Sequence, residues 1–399
     1  MSWPLVNLGS IAEKIDYGLT ASANFEIDEP KFLRITDLQD GSVDWSSVPS
    51  CECSEKDVDQ YKLENGDIVF ARTGATTGKS YLLRDLAAQA VFASYLIRLR
   101  PKKIVDSSYL AHFFQSPNYW SQINVMANGA AQPGVNASKL KELSVPLPPL
   151  EEQKRIAAIL DKADAIRRKR QQAIKLADDF LRSVFLEMFG DPVTNPKGWD
   201  VRPLKDGIAS IKSGWSAKGE SQPCKSGQRG VLKISAVTSG VFKGSENKYV
   251  PDDEIDNSKK LIFPRKGDLL FSRANTRELV AATCIVPDDV DNVFLPDKLW
   301  LIDTNKAKLL PEFLHCMIWY PKFKDTLTSQ ATGTSGSMLN ISMGKFELTA
   351  SIFPSIEKQQ VFGDIYWKVQ HTLQLIVGSQ RLNDDVFSSL NQKAFSGEL

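Results

Sequence analysis

The sequence predicts a mixed α/β (α+β) protein: two similar globular units, each followed by a long helix, with the two helices packed on one another. Three observations predict this. A long internal repeat runs through the 399 residues, an amphipathic segment headed by proline closes each copy, and the rest of each copy alternates strand-like and turn-like segments. At ~100–200 residues per domain, the length accommodates two or three domains with cores of their own.

The repeat comes first because it sets the architecture. Trp3–Ala12 (WPLVNLGSIA) returns as Trp199–Ala209 (WDVRPLKDGIA), and Leu33-Arg34-Ile35 returns as Leu232-Lys233-Ile234. GDIVFAR at 66–72 returns as GDLLFSR at 267–273. LAHF at 110–113 returns as FLHC at 313–316, and PPLEEQ at 148–153 as PSIEKQ at 354–359. The separations are 196, 199, 201, 203 and 206 residues in chain order. One duplicated unit with small insertions in its second copy drifts in this way, whereas chance similarity scatters. The period is too long for a solenoid, so the chain is a tandem pair. The boundaries expected are 1–149 and 191–354 for the globular parts, 150–190 and 355–399 for the helices.

Within the first copy, FLRITDL, GDIVFAR and ASYLIRLR have the apolar content of buried strands, and SSYLAHFFQSPNYWSQI that of a helix. After the breaker Pro146-Leu147-Pro148-Pro149, apolar residues fall at Ile156, Leu160, Ala163, Ile166, Ile174, Ala177, Leu181, Val184 and Met188. Gaps of three and four make an amphipathic helix. Glu151 and Glu152 suit its first turn, and Gly190 and Pro192 end it. In the second copy Ile365, Val369, Leu373, Ile376, Leu382, Val386 and Leu390 give the matching stripe. Each helix is about 60 Å long at 1.5 Å per residue. Mutual packing as a coiled coil is expected rather than each helix lying on its own half, because such a helix overhangs a 150-residue domain.

Lys plus Arg is 49 and Asp plus Glu 48, a net charge of +1, which excludes nucleic-acid binding by bulk charge. By segment the net charge is −3 for 1–150, +2 for 151–198, +3 for 199–354 and −1 for 355–399. The densest basic run, Arg167-Arg168-Lys169-Arg170, is either a solvated helix face or a phosphate or partner contact. No run approaches the ~18 apolar residues of a membrane span, and the N-terminal segment lacks the pattern of a secretory signal. Five scattered cysteines without a C-x-x-C pair fit reduced thiols in a cytoplasm. Cys51-Glu52-Cys53 has no second ligand pair, so no metal is expected.

Catalytic signatures are missing: no G-x-S-x-G, H-E-x-x-H or glycine-rich nucleotide fingerprint occurs. His112 and His315 are repeat-equivalent in Phe/Leu-rich runs and are expected to pack. The decoy is 73–80, TGATTGKS, one residue short of the phosphate loop G-x-x-x-x-G-K-S because Thr73 stands at its first glycine. It leaves one rival class open, a nucleotide-binding ATPase or methyltransferase; an adaptor without DNA is a second. The loop's Arg, Thr, Lys and Ser equally suit base edges or phosphates. Two Gly-rich loops, 128–136 and 332–340, occupy the same place in each copy and are either turns or points of close backbone approach to a ligand.

The run LPPLEEQKRI at 147–156, the G-D-[IL]-[VL]-F-x-R strand in each half and the ending KAFSGEL at 393–399 resemble the specificity subunit of type I restriction-modification systems. The resemblance covers the whole chain, although FPSIEK at 353–358 departs from the double-proline header. It implies two target-recognition domains, each reading half of a bipartite, asymmetric site in double-stranded DNA. It also implies an antiparallel coiled coil that sets the gap and docks two modification subunits, which methylate adenine. The resemblance further implies that S-adenosylmethionine and ATP bind to partner modification and restriction subunits and that this chain carries no catalytic residue or cofactor. Reading heads on one DNA face sit about 34 Å apart or a multiple of it, within the span of a ~60 Å rod.

The DNA contacts expected are Arg72, Thr73, Thr76, Thr77 and Lys79 in the first copy and Arg273, Asn275, Thr276 and Arg277 in the second. Gln132, Asn136, Ser335 and Asn340 are second choices. The strand-end arginines either grip bases or pair with a local carboxylate, Asp67 or Asp268.

Overall fold

The computed structural model describes residues 3–39, 41–84, 86, 88–127, 134–333 and 338–399, and for 377–385 the backbone only. It divides into two compact units. Unit 1 is Met1–Gln172 with Val377–Leu399, and unit 2 is Ala173–Ile376.

Unit 1 is built on a four-stranded antiparallel sheet in the order Ala12–Tyr17, Leu96–Pro101, Ile68–Ala71, Ser80–Leu82. Ile68–Ala71 is buried at every residue, which is why its sequence is an unbroken apolar run rather than an alternation. Ile68 and Phe70 face a core shared with the helices, and Val69 faces Leu33, Phe92 and Leu96. Lys31–Leu33 and Ala90–Phe92 form a parallel pair. Leu5–Asn7 pairs with Ser144–Pro146, joining the start of the copy to its proline header.

Two segments differ from the sequence expectation. FLRITDL is a strand only to Leu33; the Asp37 carboxylate accepts from the Arg34 backbone N–H at 2.8 Å and from its guanidinium at 2.7 Å, which folds Ile35–Asp37 into a single 3₁₀ turn. SSYLAHFFQSPNYWSQI is two helices, Ser107–Phe113 and Pro117–Ala127. Pro117 has no N–H with which to continue the first helix but suits the start of a new one.

Unit 2 repeats the plan with Ile208–Ser213, Leu299–Thr304, Leu269–Ser272 and Thr283–Ile285 in the same sheet order. Even the register irregularity between Ala12 and Lys14 recurs, between Ile208 and Ser210. Asp200–Pro203 pairs with Ala350–Phe353 as the closing pair. Asn247–Tyr249, Gly230–Leu232 and Val293–Phe294 form a three-stranded sheet where unit 1 has two strands.

The long helices are Leu150–Phe189 and Ile356–Ser396. In unit 1 the start of the first meets the end of the second: Ile156, Ala157 and Leu160 share a core with Ala394 and Phe395. In unit 2 the end of the first meets the start of the second, Leu181, Phe185 and Phe189 against Phe362 and Tyr366. The pairing is therefore antiparallel. The ends also lie on the globular parts, Phe395 5.3 Å from Tyr109 and Phe185 stacked 5.5 Å from Phe313. The two packings that sequence reasoning opposes occur together at these ends.

One glutamine fixes each helix head. Gln153, buried, accepts from the Asp106 N–H at 2.9 Å and donates to the Pro148 carbonyl at 2.8 Å. Gln359, also buried, accepts from Leu310 N–H at 2.9 Å and donates to the Pro354 carbonyl at 2.9 Å. The second header, although it lacks the double proline, is held in the same way.

Candidate nucleic-acid interface

In unit 1, residues 72–79 connect two antiparallel neighbours, Ile68–Ala71 and Ser80–Leu82. Ala71 and Lys79 close the hairpin, the Ala71 N–H donating to the Lys79 carbonyl at 2.8 Å, with the Gly78 N–H returning to Ala71 at 2.9 Å. Gly74 and Gly78 take φ +82°, a left-handed conformation that glycine adopts freely. A phosphate loop delivers its ligand to a helix N-terminus. Here a strand follows Lys79, so the Walker-like reading of 73–80 is corrected: the motif is a hairpin loop.

The loop's side chains divide by task. Thr77 donates its hydroxyl to the Gly74 carbonyl at 2.7 Å and so holds the turn. Thr76 and the exposed Lys79 line a cleft of about 770 Å³ with Arg84, His112, Arg167 and Arg168. Arg72 lies over the Tyr17 ring at 4.9 Å. Its N–H donates to Tyr95 at 3.1 Å and its carbonyl accepts from Val135 N–H at 3.0 Å. Thr73 bridges to Gly134. The first- and second-choice loops are therefore one surface. Asn136 caps the helix Ala137–Lys141, accepting from Lys139 N–H at 2.8 Å. Gln132 lies outside the described residues.

Unit 2 joins the same two loops. Ala274–Asn275 pairs with Leu339–Asn340, and Ile341 N–H donates to the Arg273 carbonyl at 2.9 Å. Asn275 accepts from Thr276 N–H at 2.8 Å, and Arg277 is exposed. The Arg273 Nε donates to the Asp297 carbonyl at 2.9 Å. Ser335 lies outside the described residues.

The local carboxylates go elsewhere than expected. Asp67 takes Arg100 in a bidentate pair at 2.7 Å for both contacts. Asp268 accepts from Arg265 N–H at 2.7 Å, and burial raises its carboxyl above the ordinary range. Neither meets Arg72 or Arg273, because each carboxylate turns back to the arginine that closes its own strand-entry turn or the neighbouring strand.

Sequence reasoning missed Tyr17 and Tyr95. The signal was the glycine that follows Tyr17 and recurs in the second copy, Gly18 and Gly214. A Cβ on Gly18 collides with the carbonyls of Phe92 and Ala93, and one on Gly214 with those of Leu295 and Pro296. These glycines let each strand end pass over a neighbouring segment, and Gly18 in this way delivers Tyr17 to the loop surface.

His112 and His315 are buried as expected. His112 Nε2 is 2.9 Å from Asp161, whose carboxylate also takes Arg84 at 3.0 Å; burial holds the imidazole below its usual range. His315, bonded to Thr283 at 2.9 Å, is pushed down to about 3 by burial. Among the described residues no group of three His, Cys, Asp or Glu side chains is arranged to hold a metal, and no helix is long and apolar enough to cross a membrane.

Residues 2–176 match the family model described as Type I restriction modification DNA specificity domain. The EcoKI specificity subunit of Escherichia coli (strain K12) is 24% identical over 99% of this chain and 88% of its own length. The MjaVIII specificity subunit of Methanocaldococcus jannaschii is 24% identical over 68% of this chain and 65% of its own. Among solved structures, the type I restriction-modification S subunit from M. genitalium aligns with a TM-score of 0.63 at 14% identity, covering 99% of this chain and 96% of that one. That last likeness concerns the fold.

Proposed function

We propose that the chain belongs with the specificity subunits of type I restriction-modification systems, non-catalytic components that recognise DNA, and that it reads a bipartite, asymmetric DNA site. In this reading 1–149 and 191–354 are the target-recognition domains, and 150–190 and 355–399 are the spacer helices. The helices dock two modification subunits that methylate adenine, and restriction subunits complete the assembly. S-adenosylmethionine and ATP bind to those partners, in the cytoplasm.

One observation carries the reading: the same loop scaffold is built twice with different side chains. Tyr17 and Tyr95 in unit 1 stand where unit 2 has Ser213 and Lys298, and Thr73 stands where unit 2 has Ala274. Direct readout depends on which donors, acceptors and apolar groups face the base edges. Equal scaffolds with unequal side chains therefore specify unequal half-sites. A net charge of +1 gives the isolated chain little phosphate neutralisation, so affinity depends on basic partners.

Genome-wide methylation mapping in cells that carry the intact system tests this. The expected result is a split motif of two unequal parts at fixed spacing, with methyladenine in each. A contiguous or palindromic motif overturns it.

A further inference from the structure

We propose that Arg72, presented on the Tyr17 ring, is the guanine-reading side chain of unit 1, fixing one G·C pair in the half-site that this unit recognises. The inference rests on the DNA-reading role above.

Three contacts hold this arginine in place, and a fourth anchors the ring beneath it. Its N–H and carbonyl are bonded to Tyr95 and Val135 at 3.1 and 3.0 Å, so the backbone cannot swing. Its guanidinium carbon lies 4.9 Å from the Tyr17 ring centre. The Tyr17 hydroxyl accepts from the Ala137 N–H at 3.1 Å, at the first turn of the helix that Asn136 caps. The side chain therefore meets a ligand at a set angle, with little rotamer freedom left to lose. Among the described residues no carboxylate pairs with it. A planar fork of donors, placed over an aromatic ring and without a carboxylate partner, matches the O6 and N7 acceptors of guanine in the major groove. Lys79 and Arg277, exposed on flexible stems, suit phosphates instead.

The equivalent Arg273 differs in the feature that matters. Its Nε is committed to the Asp297 carbonyl at 2.9 Å, and its Nη2 lies 3.8 Å from the Asp297 carboxylate. It ties the loop around Asp297 to its own strand. The repeat thus carries one arginine forward in two jobs, reader in unit 1 and staple in unit 2.

The test compares wild type, Arg72→Lys and Arg72→Ala in the intact system. Methylation sequencing reports the motif, and binding to duplexes varied at each position reports discrimination. Both variants should relax one G·C position in one half of the motif by roughly 5- to 150-fold, while the other half stays fixed and shows that the protein is folded. Lysine should fail to rescue, because it keeps the charge and loses the fork. Uniform weakening across sequences, with the salt dependence reduced by about one phosphate and rescue by lysine, makes Arg72 a phosphate contact and overturns the inference. An unchanged motif also overturns it. A wild-type system with no split motif removes the underlying reading instead.

Discussion

At one position of the shared sheet the two units keep the same register and change the chemistry. Arg98 on Leu96–Pro101 stands opposite Asp16, and Leu301 on Leu299–Thr304 stands opposite Lys212, at matching positions of the ladder. Arg98 is fully buried. Its Nε and Nη2 bind Asp16 at 3.0 and 2.5 Å, and its guanidinium donates to the carbonyls of Lys62 and Gln60 at 2.6 and 3.1 Å. Those carbonyls end the helix Glu55–Tyr61. The corresponding stretch of unit 2, 255–262, forms no helix whose end needs a cation, so a leucine suffices there. The duplicated register thus persists while one position passes from a helix-capping cation to a core aliphatic.

Arg98→Ala tests this most severely. It removes the donor to the Gln60 carbonyl and one of the two donors to the Lys62 carbonyl, strands a carboxylate that is about one-third exposed, and should cost about 3–5 kcal/mol in urea denaturation of unit 1's transition. Importing the unit 2 pair, Arg98→Leu with Asp16→Lys, should recover only part of that loss, since the Gln60 carbonyl loses its guanidinium donor and the Lys62 carbonyl keeps only Arg100 at 3.2 Å. A double variant as stable as wild type breaks the comparison.

The glutamine clamps sharpen it from the opposite side, because here the units are alike. Gln153→Ala and Gln359→Ala each leave a backbone N–H and a carbonyl unsatisfied at a helix head. Each should cost about 2 kcal/mol, read as a shift in denaturation midpoint without a change in slope. A large cost at one site and none at the other separates the headers, and with them the idea that both are held in one way.

The repeat, the helices and the buried strands are legible in the sequence because they depend on periodicity and spacing alone. So is the paired behaviour of His112 and His315. What stays hidden depends on partners distant in sequence. Nothing near Arg72 shows that Tyr17, 55 positions earlier, lies beneath it, and only the Arg34–Asp37 turn is a local pair that an apolar run conceals. The phosphate-loop resemblance of 73–80 misleads for the same reason. The motif states which residues are present, and only the pairing of Ser80–Leu82 with Ile68–Ala71 states that a strand follows. Asp67 shows the limit once more: its partner is two strands of sequence away, at Arg100.

The smallest expected effect concerns acid. Both repeat-equivalent imidazoles are held below the ordinary value of 6.5 by burial, so the unfolded chain binds more protons and stability falls as pH drops below about 6.5. Asp161 opposes burial at His112, whereas His315, facing Tyr366 and bonded to Thr283, has no carboxylate bonded to it and is pushed down to about 3. Unit 2 should therefore lose about 1.4 kcal/mol between pH 8 and pH 5.5, and unit 1 less. Asp178, which lines the same cavity as His315, is raised by burial and acts in the opposite direction nearer the carboxylate range, so the window to measure lies above pH 5. His315→Leu should flatten unit 2's profile there. A slope that survives this substitution places the acid sensitivity elsewhere and removes the distinction between the two histidines.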